Sequence, residues 1–151
     1  MARVIIDLPE HFLFSTDVPI YITHINKAQH LDNAALIALL SEARVRFFRS
    51  FGYDELDVEG VGIVVADAAL QYKSEAFHGE TLVFSMAPAD FNKYGFDLVF
   101  RLRDKASGRE VARGKTGVVF VGDAPEGGKK VAPLPAAFRT RLQAHGHATP
   151  A

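Results

Sequence analysis

Apolar residues recur at every second position along four stretches in the second half of the chain. The stretches cover residues 61–74, 81–87, 96–103 and 111–121, and short turns rich in Gly, Asn and Asp separate them. Because the side chains of a strand point alternately to opposite faces, this period predicts strands. In the first stretch one face should carry Val64, Ala66, Ala68, Leu70 and Tyr72. Consecutive strands joined by tight turns predict an antiparallel sheet.

A period close to that of an α-helix begins before these strands. The apolar residues that recur at spacings of four, three and four are Leu36, Leu40, Ala43 and Phe47. Asp32 and Asn33 precede this run, and a short side-chain oxygen can accept hydrogen bonds from the free amides of a helix's first turn. Gly52 follows the run and suits the end of a helix. The pattern therefore predicts a helix over residues 34–51, with an apolar stripe that a sheet should cover.

The order of these elements determines the fold class. Residues 16–25 are rich in β-branched residues and predict a first strand, and residues 136–143 predict a short final helix. A chain of 151 residues falls within the usual size of one domain, which we take as residues 1–151. We therefore expect an α+β domain, with a curved antiparallel β-sheet of five to six strands wrapped around one long central α-helix.

Composition and charge narrow the range of functions. Hydrophobic residues make up 48% of the chain and the net charge is −1, which is typical of a globular protein without a general attraction for nucleic acid or an anionic membrane. The chain contains no cysteine, so disulfides, thiolate nucleophiles and cysteine-ligated zinc are excluded. Its six histidines lack the paired spacing of a metal site. The sequence shows no signal-peptide pattern, and we expect a cytoplasmic protein.

Polar side chains capable of acid–base chemistry cluster around the predicted start of the helix. His30 can act as a base, an acid or a hydrogen-bond donor near neutral pH, or it can simply tether the loop. Asp32 could be a general base or a nucleophile, but its position before the helix favours an N-cap. Glu42 stands four residues before Arg46, so an ion pair on the helix surface is its default role. Asn26 lies four residues before His30.

A second group of candidates is basic. If the turn at residues 104–108 joins its flanking strands as a hairpin, Arg101 lies near Arg113. Like charges placed opposite one another need solvent or an anion to relieve them, so this patch is either a solvated edge or a phosphate site. Lys73 is also free to meet a phosphate.

Three segments stand out by their order and spacing in the chain. They are His30-Leu31-Asp32-Asn33-Ala34, Ser41-Glu42-Ala43-Arg44 and Gln71-Tyr72-Lys73-Ser74-Glu75-Ala76-Phe77-His78-Gly79-Glu80. Together they resemble the hotdog-fold thioesterases of the 4-hydroxybenzoyl-CoA thioesterase type, and they stand in the place of that family's His-Val-Asn-Asn-Ala, its Glu-Ala-Arg signature and its Tyr-x-x-Pro-Ala-x-x-Gly-Asp. A further likeness covers Gly108 to Gly114.

The resemblance implies hydrolysis of an acyl-thioester carried on CoA or on an acyl carrier protein, with no cofactor other than the CoA of the substrate. It also implies a homodimer or homotetramer with sites at the dimer interface near the start of the helix. Asn26 stands where many members carry an aspartate, and an amide is neither a base nor a nucleophile. The expected catalytic residues are therefore Asn26, His30, Asp32 and Glu42, and the expected substrate-binding residues are Asn33, Lys73, Arg101 and Arg113.

Two other functions remain open at this point. A non-catalytic hotdog protein that binds an acyl-CoA-like ligand would explain Asn26, and a hydratase on the same fold is less favoured. In each case the acyl end of the pocket should be apolar, because acyl groups bind through area removed from water. We expect it to be lined from Leu36, Leu39 and Leu40 and from Phe91 or Phe96.

Overall fold

The computed structural model describes residues 2–145, which form six strands and two α-helices. The strands are β1 (Phe14–Pro19), β2 (Gly62–Tyr72), β3 (Thr81–Ala89), β4 (Gly95–Asp104), β5 (Glu110–Asp123) and β6 (Lys129–Val131). The helices are α1 (Asn33–Ser50) and α2 (Ala136–Ala144), and a 3-10 turn covers Ile22–His24. Neither α-helix of the described chain is both long and apolar enough to cross a lipid bilayer.

All neighbouring strands of the single sheet are antiparallel. Their order is β1-β3-β4-β5-β2, and the short β6 pairs with the end of β5. β1 and β2 are therefore the edge strands of this order, and α1 runs across one face. The predicted class is confirmed: an α+β domain in which a curved antiparallel sheet wraps around one long helix.

Aromatic side chains fill the space between α1, the sheet and α2. Phe48 of α1 is fully buried, and its ring lies 5.9 Å from that of Phe138 on α2 and 6.4 Å from that of Phe96 on β4. The ring of Phe138 also lies 5.4 Å from that of Phe120 on β5. The final helix is therefore part of the hydrophobic core. Each large buried ring removes apolar area from water, which is the main favourable term in folding.

The predicted first strand is too long. β1 ends at Pro19, and residues 22–24 turn into a 3-10 helix instead of extending the sheet. The physical reason is local hydrogen bonding. The Tyr21 amide donates to the His24 Nδ1 atom at 2.9 Å, and the His24 amide donates back to the Tyr21 carbonyl at 2.9 Å. These bonds replace the ladder that a strand would need.

A β-bulge alters the predicted faces of β2. The register shifts between Val65 and Asp67, so that Val65 opposes the buried Val118 whereas Val64 opposes Val119 on the other face. The prediction that Val64 shares a face with Ala68, Leu70 and Tyr72 is therefore wrong, because one extra residue in a strand reverses the alternation on its far side. From Ala68 onward the predicted face is correct.

The N-terminal segment crosses the outer face of the sheet, on the side opposite α1. Ile6 and Phe12 are buried there, at 5% and 3% exposure. The Ile6 amide donates to the side chain of Gln71 at 3.3 Å, and its carbonyl accepts from Arg113 at 3.2 Å. Both faces of the central strands are thus covered. Without the N-terminal segment, the face opposite α1 would be open to solvent.

Candidate functional site

A cavity of about 400 Å³ opens beside the N-terminus of α1. Four parts of the chain form its walls: the loop before α1, the first turn of α1, the end of β2 with the segment that follows it, and the start of β5. The lining residues are Asn26, His30, Leu31, Asn33, Leu36, Tyr72, Lys73, Ser74, Glu75, Ala76 and Val111. Of the residues predicted from the sequence, the structure brings Asn26, His30, Asn33 and Lys73 together here.

Asn26 shapes the loop that carries His30. Its amide donates to the His30 carbonyl at 3.0 Å, and its carbonyl accepts from the Gln29 amide at 3.0 Å. Its side-chain oxygen accepts from the Ala28 amide at 3.1 Å, and Gln29 adopts a left-handed backbone with φ of 72°. Asparagine side chains commonly stabilise such turns by bonding to the backbone two residues on. The tight loop fixes the position of the His30 side chain.

Two long-range backbone hydrogen bonds attach this loop to the rest of the site. The Leu31 amide donates to the carbonyl of Ala76 at 2.7 Å, and the Asp32 amide donates to the carbonyl of His24 at 2.9 Å. The first bond joins the loop to the segment after β2. It thereby brings His30 close to Glu75, which is 45 residues away in sequence.

Glu75 is a residue of the cavity that sequence reasoning missed. Its Oε1 atom lies 3.4 Å from the Nε2 atom of His30, and its side chain is 63% exposed. The other ring nitrogen of His30, Nδ1, lies 3.5 Å from the carbonyl oxygen of Leu31. One signal was present in the sequence: Glu75 stands at the proline position of the Tyr-x-x-Pro-Ala-x-x-Gly-Asp pattern.

Arg109 fixes the segment that carries Glu75. Its guanidinium binds both carboxylate oxygens of Glu80, at 2.9 and 3.0 Å, and donates to the carbonyl of Glu75 at 3.1 Å. A further N–H contacts the hydroxyl of Ser74 at 3.3 Å, and that hydroxyl donates to the Glu110 carbonyl at 2.7 Å. The three contacts with Glu75 and Glu80 all come from one terminal nitrogen, and hydrogen bonds between ionised partners are stronger than those between neutral ones. The backbone beneath Glu75 is therefore well anchored.

Asp32 is the N-cap of α1, as its position in the sequence predicted. Its Oδ2 atom accepts from the amides of Ala34 and Ala35 at 3.0 and 3.1 Å. The Leu36 amide donates to the Asp32 carbonyl at 3.0 Å, so the Asn33 amide is the one amide of the first turn without a hydrogen-bond partner within residues 2–145, and Asn33 is a lining residue of the cavity. Asn33 also contributes its carbonyl to a 3.5 Å contact with the Tyr72 hydroxyl. The catalytic role of Asp32 stays a prediction.

Glu42 lies along the helix, outside the lining of the cavity. Its carboxylate accepts from Arg46 at 3.1 Å, which is the helix-surface pair predicted from their spacing. Arg46 also donates to the Thr16 hydroxyl at 2.9 Å and to the Asp17 carbonyl at 2.8 Å. This side of α1 therefore faces β1, and the structure does not bring Glu42 to His30 within one chain.

The predicted hairpin register is confirmed, because Arg101 lies directly opposite Arg113. Both residues are on the outer face of the sheet, however, away from the cavity. Arg113 binds Glu110 through two N–H groups at 2.9 and 2.8 Å, and Arg101 lies over the ring of Phe12 at 5.2 Å. Burial lowers the pKa of the Arg101 guanidinium, and nearby arginines lower it further. Their predicted contact with phosphates stays a prediction.

Of the three basic residues predicted to bind substrate, Lys73 is the one that lines the cavity. Its amide donates to the Val111 carbonyl at 2.8 Å, which anchors its backbone at the end of β2. Within residues 2–145 the Lys73 ammonium has no salt-bridge partner. In the same part of the chain no group of three or more His, Cys, Asp or Glu side chains is arranged to hold a metal ion.

The apolar wall of the cavity differs from the predicted one. Leu36 lines it as expected, whereas Leu39, Leu40 and Phe96 are buried in the core, and Phe91 stacks on Phe96 at 5.5 Å. The apolar residues that do line the cavity are Leu31, Leu36, Ala76 and Val111. The reason is that the phenylalanines pack around α2 at the other end of α1.

Solved structures with the same fold are numerous. A thioesterase from Thermus thermophilus, complexed with coenzyme A and Zn, superposes with a TM-score of 0.78 at 21% identity, covering 93% of this chain and 99% of that one. A 1,4-dihydroxy-2-naphthoyl-CoA thioesterase from Synechocystis gives a TM-score of 0.75 at 19% identity, covering 86% of this chain and 95% of that one.

A mutant of 4-hydroxybenzoyl-CoA thioesterase, complexed with 4-hydroxybenzoyl-CoA, gives a TM-score of 0.76 at 14% identity and covers 85% of this chain and 97% of that one. These similarities confirm the hotdog fold. No match was found among curated proteins. The sequence profile of the thioesterase-like superfamily matches residues 21–142, which include every residue of the cavity. The chain therefore belongs to the thioesterase-like superfamily.

Proposed function

We propose that this protein hydrolyses an acyl-thioester, with the acyl group bound in the cavity beside the start of α1. The observation that carries the proposal is the meeting of His30, Glu75 and Asn33, the first residue of α1, at one cavity that is lined in part by apolar residues. A helix N-terminus favours negative charge through its free amides and its dipole. Such a donor suits the oxyanion that forms when a thioester carbonyl is attacked.

The reaction requires water, a base and a donor. A water oxygen attacks the carbonyl carbon and forms a C–O bond, while one water proton passes to the base. The C–S bond then breaks, and the leaving thiolate takes up the proton. One thioester and one water give one acid and one thiol. Asn26 contributes by holding the loop and by orienting groups, because an amide cannot accept the proton.

The size and polarity of the cavity favour a compact acyl group. Its volume of about 400 Å³ lies near the low end of ordinary ligand pockets. We expect benzoyl-CoA and hexanoyl-CoA to be hydrolysed faster than palmitoyl-CoA. Release of free thiol from these three substrates, and from the same acyl groups on an acyl carrier protein, measures both preferences. A faster reaction with palmitoyl-CoA would contradict the assignment of the acyl group to this cavity.

A non-catalytic binding protein is the second candidate, and the observation in its favour is Asn26. Calorimetry with the same acyl-CoAs distinguishes the two functions. Tight binding without any thiol release would favour the binding protein, whereas thiol release that saturates with substrate would favour the hydrolase.

We also propose that the protein works as a homodimer or a tetramer built from dimers, with a second copy covering the edge of β2. Within the described chain β2 has one neighbouring strand, and Val64 and Val65 on it are 45% and 43% exposed. A long exposed apolar edge strand is a template for pairing with another chain. Since Tyr72 at the end of this strand lines the cavity, the second copy would also adjoin the site.

Light scattering is expected to give a mass that is an even multiple of the 16.5 kDa chain. Val65→Lys should shift the protein towards monomer, because it puts a charge on the edge that the second copy would cover. Val131→Lys is the matched control, since Val131 is 50% exposed on β6, away from this edge. A monomeric wild-type protein at micromolar concentration would contradict the proposal.

A further inference from the structure

We propose that Glu75 is the general base of this site and that His30 donates a hydrogen bond to the developing oxyanion. This inference rests on the proposed thioester hydrolysis and assigns the residue that the sequence left open. It also reverses the simplest reading of the loop, in which the histidine would be the base.

The surroundings of His30 favour a donor. Nε2 lies 3.4 Å from a Glu75 carboxylate oxygen, and Nδ1 lies 3.5 Å from the Leu31 carbonyl oxygen. Both oxygens are acceptors, so a proton on either ring nitrogen has a partner. In the tautomer with its proton on Nε2, the ring places one N–H beside the Glu75 carboxylate and has no lone pair on that nitrogen for a water molecule. That N–H can turn to the developing oxyanion as Glu75 takes up the proton of the attacking water.

The sequence offered Asp32 and Glu42 as carboxylates for the base, and neither is free at the cavity. Asp32 uses its Oδ2 atom to cap the amides of Ala34 and Ala35, and Glu42 is paired with Arg46 away from the cavity. Glu75 is the one carboxylate among the lining residues of the cavity, and its side chain is 63% exposed. Water can therefore reach it.

The backbone of Glu75 is held more firmly than its exposure suggests. Arg109 donates to its carbonyl at 3.1 Å, and the next carbonyl, that of Ala76, accepts from the Leu31 amide at 2.7 Å. An exposed carboxylate on an anchored backbone can accept a proton without moving the loop. General-base catalysis requires such positioning, because the base must stay within hydrogen-bond reach of the attacking water.

The proton balance of the step is complete with the residues present. The Glu75 carboxylate takes one proton from the attacking water as the C–O bond forms, and becomes a carboxylic acid. His30 and the Asn33 amide donate hydrogen bonds to the carbonyl oxygen, which becomes the oxyanion. As the C–S bond breaks, the protonated Glu75 returns the proton to the thiolate. The carboxylate is then restored for the next turnover.

The test compares Glu75→Gln with wild type, using benzoyl-CoA and hexanoyl-CoA and the release of free thiol. We expect kcat to fall by about a hundredfold or more, because an amide cannot accept the proton, while KM changes little. Glu75→Asp should recover part of the rate, since it restores a carboxylate on a shorter side chain. Glu126→Gln, in the exposed turn between β5 and β6, is the matched control and should keep the wild-type rate.

Two further measurements separate chemistry from binding and folding. The affinity for a non-hydrolysable thioether analogue of benzoyl-CoA should be the same in Glu75→Gln as in wild type. The melting temperature should also be unchanged, because the Glu75 side chain is exposed. A parallel loss of affinity or of folding would mean that Glu75 has a structural role, which would overturn the assignment.

The possible failures are distinguishable from one another. If wild type turned over and Glu75→Gln turned over at the same rate, the base assignment alone would be overturned. Loss of turnover in Asp32→Asn or Glu42→Gln, with Glu75→Gln fully active, would transfer the role to that residue. If wild type released no thiol from either substrate, the hydrolase function itself would fall, and the base assignment with it.

Discussion

Replacing Phe48 by alanine is expected to lower the free energy of unfolding by about 3–5 kcal/mol. Phe48 is fully buried at the centre of the aromatic cluster, and its ring contacts Phe47 at 5.5 Å and Phe138 at 5.9 Å between centroids. Truncation removes the apolar contacts and leaves a cavity that the neighbouring rings can fill only in part. Because Phe138 belongs to α2, the variant should also loosen the packing of the final helix.

Chemical denaturation at pH 7 measures this change in the free energy of unfolding, through the midpoint and slope of the transition. Ile22→Ala is the control, since Ile22 is 65% exposed on the 3-10 turn. This variant should change the free energy of unfolding by no more than about 0.5 kcal/mol. An equally small effect for both variants would show that the aromatic cluster is not the main core of the domain.

Replacing His30 by alanine is expected to reduce kcat by about a hundredfold to a thousandfold, the usual cost of losing one donor to an oxyanion. This expectation rests on the proposed hydrolysis. The fold should survive the change, because backbone atoms close the loop: the Asn26 amide bonds to the carbonyl of residue 30 at 3.0 Å, and the Leu31 amide bonds to Ala76 at 2.7 Å. Neither bond uses the imidazole.

Thiol release under saturating substrate gives the rate, and thermal melting checks the fold. His78→Ala provides a matched control, since His78 is exposed in the turn before β3 and does not line the cavity. His30→Gln keeps a side-chain N–H donor, and its kcat should fall between those of His30→Ala and wild type. Full turnover in His30→Ala would show that the histidine only tethers the loop.

Features that depend on neighbours in the sequence were predicted well. The helix was expected over residues 34–51 and is found at Asn33–Ser50, because its apolar period and its cap are both local. The pairing of Arg101 with Arg113 was also correct. The short turn brings the two arginines close together, and the register shift between Leu102 and Arg103 places them directly opposite one another.

Local patterns failed where a single backbone irregularity changed their meaning. The alternation of β2 predicted that Val64 shares a face with Leu70, but the bulge after Val65 reversed that part of the strand. Likewise the β-branched residues after Pro19 form a 3-10 turn. In both cases the residue types were compatible with either outcome. The pairing with β5 decided the first, and the hydrogen bonds between Tyr21 and His24 decided the second.

The site itself depends on contacts between distant parts of the chain. The sequence identified Asn26, His30 and the start of α1, since they lie together in one short segment. It did not identify Glu75, which meets His30 only because the Leu31 amide bonds to the carbonyl of Ala76.

The surroundings of Arg101 on β4 and Arg113 on β5 also depend on contacts with a distant part of the chain. The proximity of these arginines was readable from the turn between them. Their environment comes from the N-terminal segment, which places the ring of Phe12 beside Arg101 and the Ile6 carbonyl beside Arg113. The sequence by itself thus determined the elements, the cap and the loop that carries the histidine. The tertiary structure alone decided which carboxylate faces that histidine and which sheet face is covered, because packing, unlike periodicity, is fixed by contacts between residues far apart in the chain.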